Sequence, residues 1–90
     1  MGLFDNVNKA VAGQQSLNED LTGMNIQMQV ITEESNLNVR KGPGTDYEII
    51  GKAAHNSNVQ LLKRADEKWY LVRTADGVEG YCSKYYLKQL

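Results

Sequence analysis

Hydrophobic and polar residues alternate along most of the chain from residue 24 onwards, which is the pattern of half-buried β-strands. In the first such run, polar residues alternate with Met24, Ile26, Met28 and Val30. Further short runs follow at residues 37–40, 47–51, 59–62, 69–73 and 78–83. Five or six strands at a spacing of about 8 to 12 residues, with no helical period between them, predict an all-β fold, either a small barrel or a sandwich.

Turn-forming residues separate these runs. Residues 42–44 read Gly-Pro-Gly, which only a turn tolerates, because proline fixes φ and glycine accepts φ values that other residues avoid. Asp76-Gly77 is the strongest hairpin signal in the chain and joins the last two predicted strands. Asn56 can adopt a positive φ, so a further turn is expected before the run at residues 59–62.

The first 25 residues follow a different period. Apolar residues recur with helical spacing at Leu3, Phe4, Val7, Ala10 and Val11, and Gly13 fits as the end of a short helix. Ser16 and Glu19 have the spacing of a capping box, with Leu17, Leu21 and Met24 on one face. Helices this short are marginal in water unless they pack against something. The segment is therefore either weakly helical and docked, on the barrel or on a second copy, or a disordered polar tail.

Two blocks of the sequence resemble the bacterial Src-homology-3 (SH3b) family. The first block is Leu37-Asn38-Val39-Arg40-x-Gly42-Pro43-Gly44-Thr45-x-Tyr47. The second is Trp69-Tyr70-x-Val72-Arg73, followed by Gly77, by Gly80-Tyr81 and by Tyr86-Leu87. The resemblance covers about residues 27–90 and implies an SH3-like barrel of five to six short antiparallel strands. We therefore divide the chain into an acidic N-terminal segment, residues 1–25, and a barrel, residues 26–90.

The strand period assigns the side chains of the barrel to two faces. The residues expected to point inward are Leu37, Val39, Val59, Leu61, Tyr70 and Val72. Cys82 lies in phase with Val78 and is expected to be buried, at a position where the family usually carries a branched aliphatic residue. Trp69 and Leu71 point outward, and the N-terminal segment or a partner is expected to cover the apolar patch that they form. Arg40 ends its strand and is expected to brace a turn carbonyl or a carboxylate.

The amino-acid composition excludes several kinds of site and segment. With one cysteine and one histidine, the chain has neither an internal disulfide nor the ligand set of a structural zinc, and no metal or cofactor is expected. No apolar run approaches the roughly 18 residues that span a bilayer. The N-terminus lacks the features of a secretory signal, so we expect a cytoplasmic protein as the sequence is written. If an export signal has been removed, or if lysis releases the protein, we expect it outside the cell or at the cell wall.

Charge is unevenly distributed along the chain, whose formal net charge is −1. Residues 1–35 hold five acidic side chains and one lysine, whereas residues 36–90 hold nine basic and six acidic side chains. The two parts can attract each other, or the barrel can attract anionic partners, weakly and in a salt-dependent way. Nucleic-acid binding is not expected, because the positive excess is small and no basic run accompanies the aromatic residues.

Cys82 and His55 are the residues that offer a nucleophile and a base. Such a site also needs an orienting group, an oxyanion hole and a cleft, which a small barrel with an inward cysteine does not provide. His55 is expected to be a solvated turn residue, and the acidic pairs at residues 33–34 and 66–67 are expected to lie in loops and serve solubility. The sequence therefore predicts no enzymatic activity.

Aromatic side chains on the outer surface favour a binding module instead. SH3-like barrels bind ligands in an aromatic-lined groove between turns. The predicted ligand-binding residues are Tyr47, Trp69, Tyr81 and Tyr85, whereas Tyr70 and Tyr86 are assigned to packing. The resemblance implies a cell-wall peptide as the ligand, the stem or the cross-bridge of peptidoglycan. The alternative is an intracellular adaptor that binds a partner protein, or a second copy of itself, through the barrel surface and the N-terminal segment.

Overall fold

The computed structural model describes residues 17–90, so the helix predicted over residues 3–11 lies outside the described part. Seven β-strands follow one another: β1 (Ile26–Val30), β2 (Leu37–Arg40), β3 (Ile49–Ala53), β4 (Asn58–Arg64), β5 (Trp69–Arg73), β6 (Glu79–Ser83) and β7 (Leu87–Gln89). Two 3₁₀ turns, Thr22–Met24 and Lys84–Tyr86, complete the described elements. In residues 17–90, no helix is long and apolar enough to cross a membrane.

All seven strands join one antiparallel sheet, in the order β3-β2-β6-β5-β4-β1-β7. The predicted all-β class is therefore confirmed. The first six strands correspond to the six apolar runs of the sequence. The additional strand is β7, whose three residues are too few to show a period of two. Its backbone pairing with β1, in which Leu87 lies opposite Val30, defines it as a strand.

The sheet bends around one apolar core to which every strand contributes. The core residues are Leu21, Met28, Val30, Leu37, Val39, Ala53, Val59, Leu61, Tyr70, Val72, Cys82 and Leu87. This set contains Cys82 and all six residues predicted to point inward. Burying a valine or leucine side chain stabilises a fold by about 1.5–3 kcal/mol, so the alternating positions account for most of the driving force.

The chain before β1 follows the edge of β4. β1 pairs with β4 over residues 58–61 only, so the later residues of β4 have backbone groups that β1 does not reach. The N–H of Asn18 donates to the carbonyl oxygen of Arg64 at 2.6 Å, and the N–H of Leu21 donates to that of Leu62 at 2.8 Å. Leu21 thereby enters the core. Residues 18–21 thus continue the side of β4 that β1 leaves open.

This docking replaces the helix expected from Leu17 to Met24, and that prediction is wrong. Residues 17 and 18 form a turn, and the 3₁₀ turn of Thr22–Met24 is the helical structure that follows. Asn18 and Asn25 have φ values of 60° and 52°, which a continuous α-helix does not allow. Leu17 and Met24 are exposed, so Met24 does not belong to the inward set of β1 either.

Gly80 allows β6 to approach β2 closely. A Cβ atom at this position would lie 2.5 Å from Cγ1 of Val39 and 2.7 Å from the carbonyl oxygen of Arg40, which is backbone and cannot rotate away. We expect Gly80→Ala to lower the free energy of unfolding by about 2 kcal/mol, because overpacking forces the two strands apart. Urea denaturation measures the change. Gly23→Ala is the control, since a Cβ there meets nothing within 4 Å, and equal stability of the two variants would contradict the prediction.

Candidate ligand-binding groove

An open groove of about 570 Å³ lies between the loop of residues 31–36 and parts of β2, β5 and β6. Its apolar lining consists of Ile31, Leu37, Trp69 and Tyr86. Its polar lining consists of Thr32, Glu33, Glu34, Ser35, Asn36, Asn38, Arg40, Thr45 and Ser83. A concave surface with aromatic rings and a few polar groups is typical of a site for a small molecule or a peptide.

The main chain at Trp69 is fixed by the side chain of Asp66. Its Oδ1 atom accepts hydrogen bonds from the N–H groups of Lys68 and Trp69, both at 2.8 Å. The N–H groups of Ala65 and Asp66 in turn donate to the carbonyl oxygen of Trp69 at 3.0 and 3.2 Å. Trp69 is half-buried and alternates with the buried Tyr70, as its predicted outward position requires. Asp66, which the sequence assigned to solubility, therefore positions an aromatic residue of the groove.

Tyr86 supplies the second aromatic ring of the groove, although the sequence assigned it to packing. The N–H of Ile31 donates to the carbonyl oxygen of Tyr86 at 2.9 Å and ties the start of the 31–36 loop to this residue. The hydroxyl of Ser83 caps the 3₁₀ turn by accepting from the N–H of Tyr85 at 3.4 Å. Tyr86 is exposed while Leu87 is buried. No strand period could have revealed this, because Tyr86 ends a 3₁₀ turn and β7 after it has only three residues.

Arg40 braces the loop between β2 and β3. Its Nη1 atom donates to the carbonyl oxygens of Thr45 at 3.1 Å and Tyr47 at 2.9 Å, which confirms the predicted contact with turn carbonyls. The ring of Tyr47 lies over Gly42, where any Cβ atom would overlap it. The guanidinium group forms no ion pair with a carboxylate of residues 17–90, so it contributes a positive charge to the groove.

The loop of residues 31–36 is held against the turn between β3 and β4. The hydroxyl of Thr32 donates to the carbonyl oxygen of Ser35 at 2.5 Å. The Thr32 hydroxyl oxygen also lies 3.2 Å from Nδ1 of His55. The N–H of His55 donates to Oδ1 of Asn36 at 3.3 Å. His55 lies in the predicted turn and is partly exposed, with its ring in contact with Thr32. The turn contacts the loop through His55, whereas its neighbours Ala54 and Asn56 are exposed.

The structure brings one of the four predicted ligand-binding residues, Trp69, to this groove. Tyr47 is exposed in the loop before β3, and Tyr85 is exposed in the second 3₁₀ turn. Tyr81 is half-buried on β6, opposite Leu71 of β5. None of these three tyrosines lines the groove, and their role in binding stays a prediction.

Trp69 also borders a second, more open cavity of about 450 Å³. The other residues that line this cavity are Leu17, Pro43, Asp66, Glu67 and Lys68. Leu71 is half-buried, so it is less exposed than the sequence suggested. The predicted cover of the Trp69/Leu71 patch by residues 1–16 lies outside the described residues, but Leu17 does reach the surroundings of Trp69.

Cys82 is fully buried and does not line the groove. Burial raises the pKa of its thiol from 9.0 to about 12, because the thiolate is poorly solvated in the core. The thiolate is the form of cysteine that acts as a nucleophile, and at neutral pH this side chain holds its proton. Cys82 therefore behaves as a small apolar packing residue.

Comparison with known families agrees with this geometry. Residues 35–88 match the family described as the bacterial SH3 domain. The chain belongs to the bacterial SH3 domain family. This confirms the resemblance noted from the two sequence blocks and the SH3-like fold. The match leaves out β1, although β1 pairs with both β4 and β7. Bacterial SH3 domains are generally non-catalytic binding modules and are often associated with the cell wall. No curated protein matches the chain.

The raised pKa of Cys82 makes the stability of this bacterial SH3 domain depend on pH. The unfolded thiol loses its proton near pH 9, whereas the folded thiol keeps it up to about pH 12. The stabilising contribution of the buried thiol is therefore complete below pH 9 and is lost as the pH rises towards 12, at up to about 1.4 kcal/mol per pH unit. Urea denaturation across this range measures the loss.

Cys82→Val is the control for this measurement, because it fills the same core position without a titrating group. The relevant quantity is the difference in slope between the two proteins, because contributions that they share cancel. We expect the free energy of unfolding of the valine variant to fall less steeply above pH 9. Equal slopes would contradict burial of the thiol.

Proposed function

We propose that this protein is a non-catalytic module that binds cell-wall peptides, the stem or the cross-bridge of peptidoglycan, in the groove between Trp69 and Tyr86. Membership of the bacterial SH3 family supports the binding role and the association with the wall. The proposal requires that the protein reach the wall, by export or by release on lysis. The observation that carries it is the placement of two aromatic rings in one groove, each with its main chain fixed by other residues.

The fixed aromatic residues favour binding of an extended peptide. Hydrogen bonds with Asp66 hold the backbone at Trp69, and the bond from Ile31 holds the backbone at Tyr86. Flat rings on a fixed main chain provide contact area at a low cost in conformational entropy. The volume of about 570 Å³ lies in the range of sites for small ligands, which fits a few residues of a peptide rather than a folded partner.

The polar lining favours a ligand with amide groups and charges of both signs. Glu33 and Glu34 are exposed on one loop of the groove, and Arg40 contributes the opposite charge from β2. Asn36 and Asn38 add amide donors and acceptors. Peptides of the cell wall carry free amino and carboxyl groups beside their amides, so they match each part of this lining. The match is one of chemical class and leaves the peptide sequence open.

The absence of catalysis is part of the proposal. The buried, protonated Cys82 lies away from the groove, and His55 does not line it either. Neither residue is therefore available to a bound peptide as a nucleophile or a base. A binding role needs no such group, because the rings and polar side chains of the lining suffice for recognition.

Retention on purified peptidoglycan at low salt tests the proposed function. We expect the wild-type protein to be retained, and Trp69→Ala and Tyr86→Ala each to weaken binding by about fivefold or more, since truncating a central aromatic residue of a binding site costs more than about 1 kcal/mol. Tyr85→Ala is the matched control, because the neighbouring Tyr85 is at least as exposed and does not line the groove.

Circular dichroism of each variant separates lost binding from lost folding. Failure of the folded wild-type protein to bind would contradict the ligand class. Equal binding by the Tyr86→Ala and Tyr85→Ala variants would contradict the groove as the site. Alanine variants of Tyr47 and Tyr81, measured in the same way, test the remaining sequence-based site predictions.

A further inference from the structure

The face of β2 that lines the groove carries a row of hydrogen-bond donors. Leu37 and Val39 of this strand are buried. Asn38 and Arg40 lie on the opposite, half-buried face, and the exposed Asn36 precedes them at the same two-residue spacing. The register shift between β2 and β3 places its extra residue in β3, so the alternation of β2 is intact. Amide and guanidinium N–H groups therefore follow one another along the groove.

The side-chain amide of Asn36 is oriented by the turn between β3 and β4. Its Oδ1 atom accepts a hydrogen bond from the N–H of His55 at 3.3 Å. Because a backbone N–H can only donate, the oxygen of the amide must face His55, and Nδ2 points away from it. Nδ2 forms no hydrogen bond with another group of residues 17–90. Its two N–H donors are thus open to a ligand in the groove.

Arg40 lies at one end of the groove. It is the residue at which β2 pairs with β6, opposite Tyr81. Its Nη1 atom is held by the carbonyl oxygens of Thr45 and Tyr47, and no carboxylate of residues 17–90 neutralises its charge. The guanidinium is therefore a fixed positive group where the groove closes.

The other end of the groove is acidic. Glu33 and Glu34 lie in the loop before β2, line the groove and are exposed. Neither takes part in an ion pair within residues 17–90. An extended chain covers about 13 Å over the four residues from Asn36 to Arg40. The groove thus has opposite charges at its two ends and amide donors between them.

We propose, on the basis of the function proposed above, that the groove binds a wall peptide in an extended conformation that runs parallel to β2. The free carboxylate of the peptide lies at Arg40, and its free amino group lies at Glu33 and Glu34. Main-chain carbonyl oxygens of the peptide accept hydrogen bonds from Asn36 and Asn38. Every second carbonyl of an extended chain points the same way, at a spacing of about 6.6 Å, which is also the spacing of alternate residues of β2.

The charges at the two ends determine the direction of the peptide. In the reverse direction, the carboxylate would lie beside Glu33 and Glu34, and the amino group would lie beside Arg40. Both contacts would then be repulsive, which disfavours that direction. Recognition through chain ends and main-chain carbonyls places no demand on the side chains of the peptide, which are left to contact Trp69 and Tyr86.

Titration of the full chain with tetra-alanine, followed by NMR, tests the contact at Arg40. We expect the C-terminal amide of tetra-alanine to bind about fivefold more weakly than the free acid, the upper range for a partly exposed charge pair. This difference should vanish in Arg40→Gln and persist in Arg40→Lys, which keeps the charge. Lys41→Gln is the matched control, because Lys41 is exposed and does not line the groove.

A spin label on the peptide tests its direction separately from its affinity. A cysteine in the first or the last position of the tetrapeptide carries a nitroxide and leaves both chain ends free. The label in the first position should broaden the amide signals of Glu33 and Glu34 most. The label in the last position should broaden those of Lys41 and Thr45 most, because paramagnetic broadening falls steeply with distance.

Three results would overturn the proposal. They are tetra-alanine that causes no shifts at the groove, equal binding of the acid and the amide to the wild-type protein, and a reversed or uniform pattern of broadening. Peptidoglycan retention reports on the proposed function separately. Retention without oriented binding of the tetrapeptide leaves that function standing, whereas oriented binding without retention contradicts only the cell wall as the source of the peptide.

Discussion

The close approach of β6 to β2 at Gly80 is the contact on which the rest of the structure depends. Because Gly80 has no side chain, Val39 and the carbonyl oxygen of Arg40 can lie against it. This contact joins β2 and β3 to the other five strands of the sheet. β2 pairs with β3 on one side, and β6 leads to β5, β4, β1 and β7. It also sets Arg40 opposite Tyr81, from where its guanidinium reaches the carbonyl oxygens of Thr45 and Tyr47. Packing in the core thereby determines the shape of one wall of the groove.

The two-residue period of the strands was sufficient to predict which residues are buried in the core. It was not sufficient to predict which residues line the groove. Inward positions such as Val39, Val72 and Cys82 follow from alternation alone, because one face of every strand must be buried in so small a domain. Arg40 was predictable as well, since it ends a strand directly before a glycine-rich turn. These predictions depend on neighbours in sequence, and the structure agrees with them.

Predictions that failed concern residues whose partners are distant in sequence. Residues 17–24 have apolar spacing suited to a helix, yet the N–H groups of Asn18 and Leu21 donate to carbonyl oxygens of β4. That edge of β4 is open only because β1 is short, which no local pattern reveals. The contact of His55 with Thr32, 23 residues away, could not be read from local sequence either. Tyr86 lines the groove because the loop of residues 31–36 folds beside it, and this neighbourhood arises only in the tertiary structure.

The aromatic rings of the groove are positioned by residues outside the apolar core. The proposed binding in the groove requires rings with a fixed main chain, and hydrogen bonds with Asp66 and Ile31 provide that without using core volume. A domain of this size has a small contact area for any ligand, so the affinity of one groove is limited.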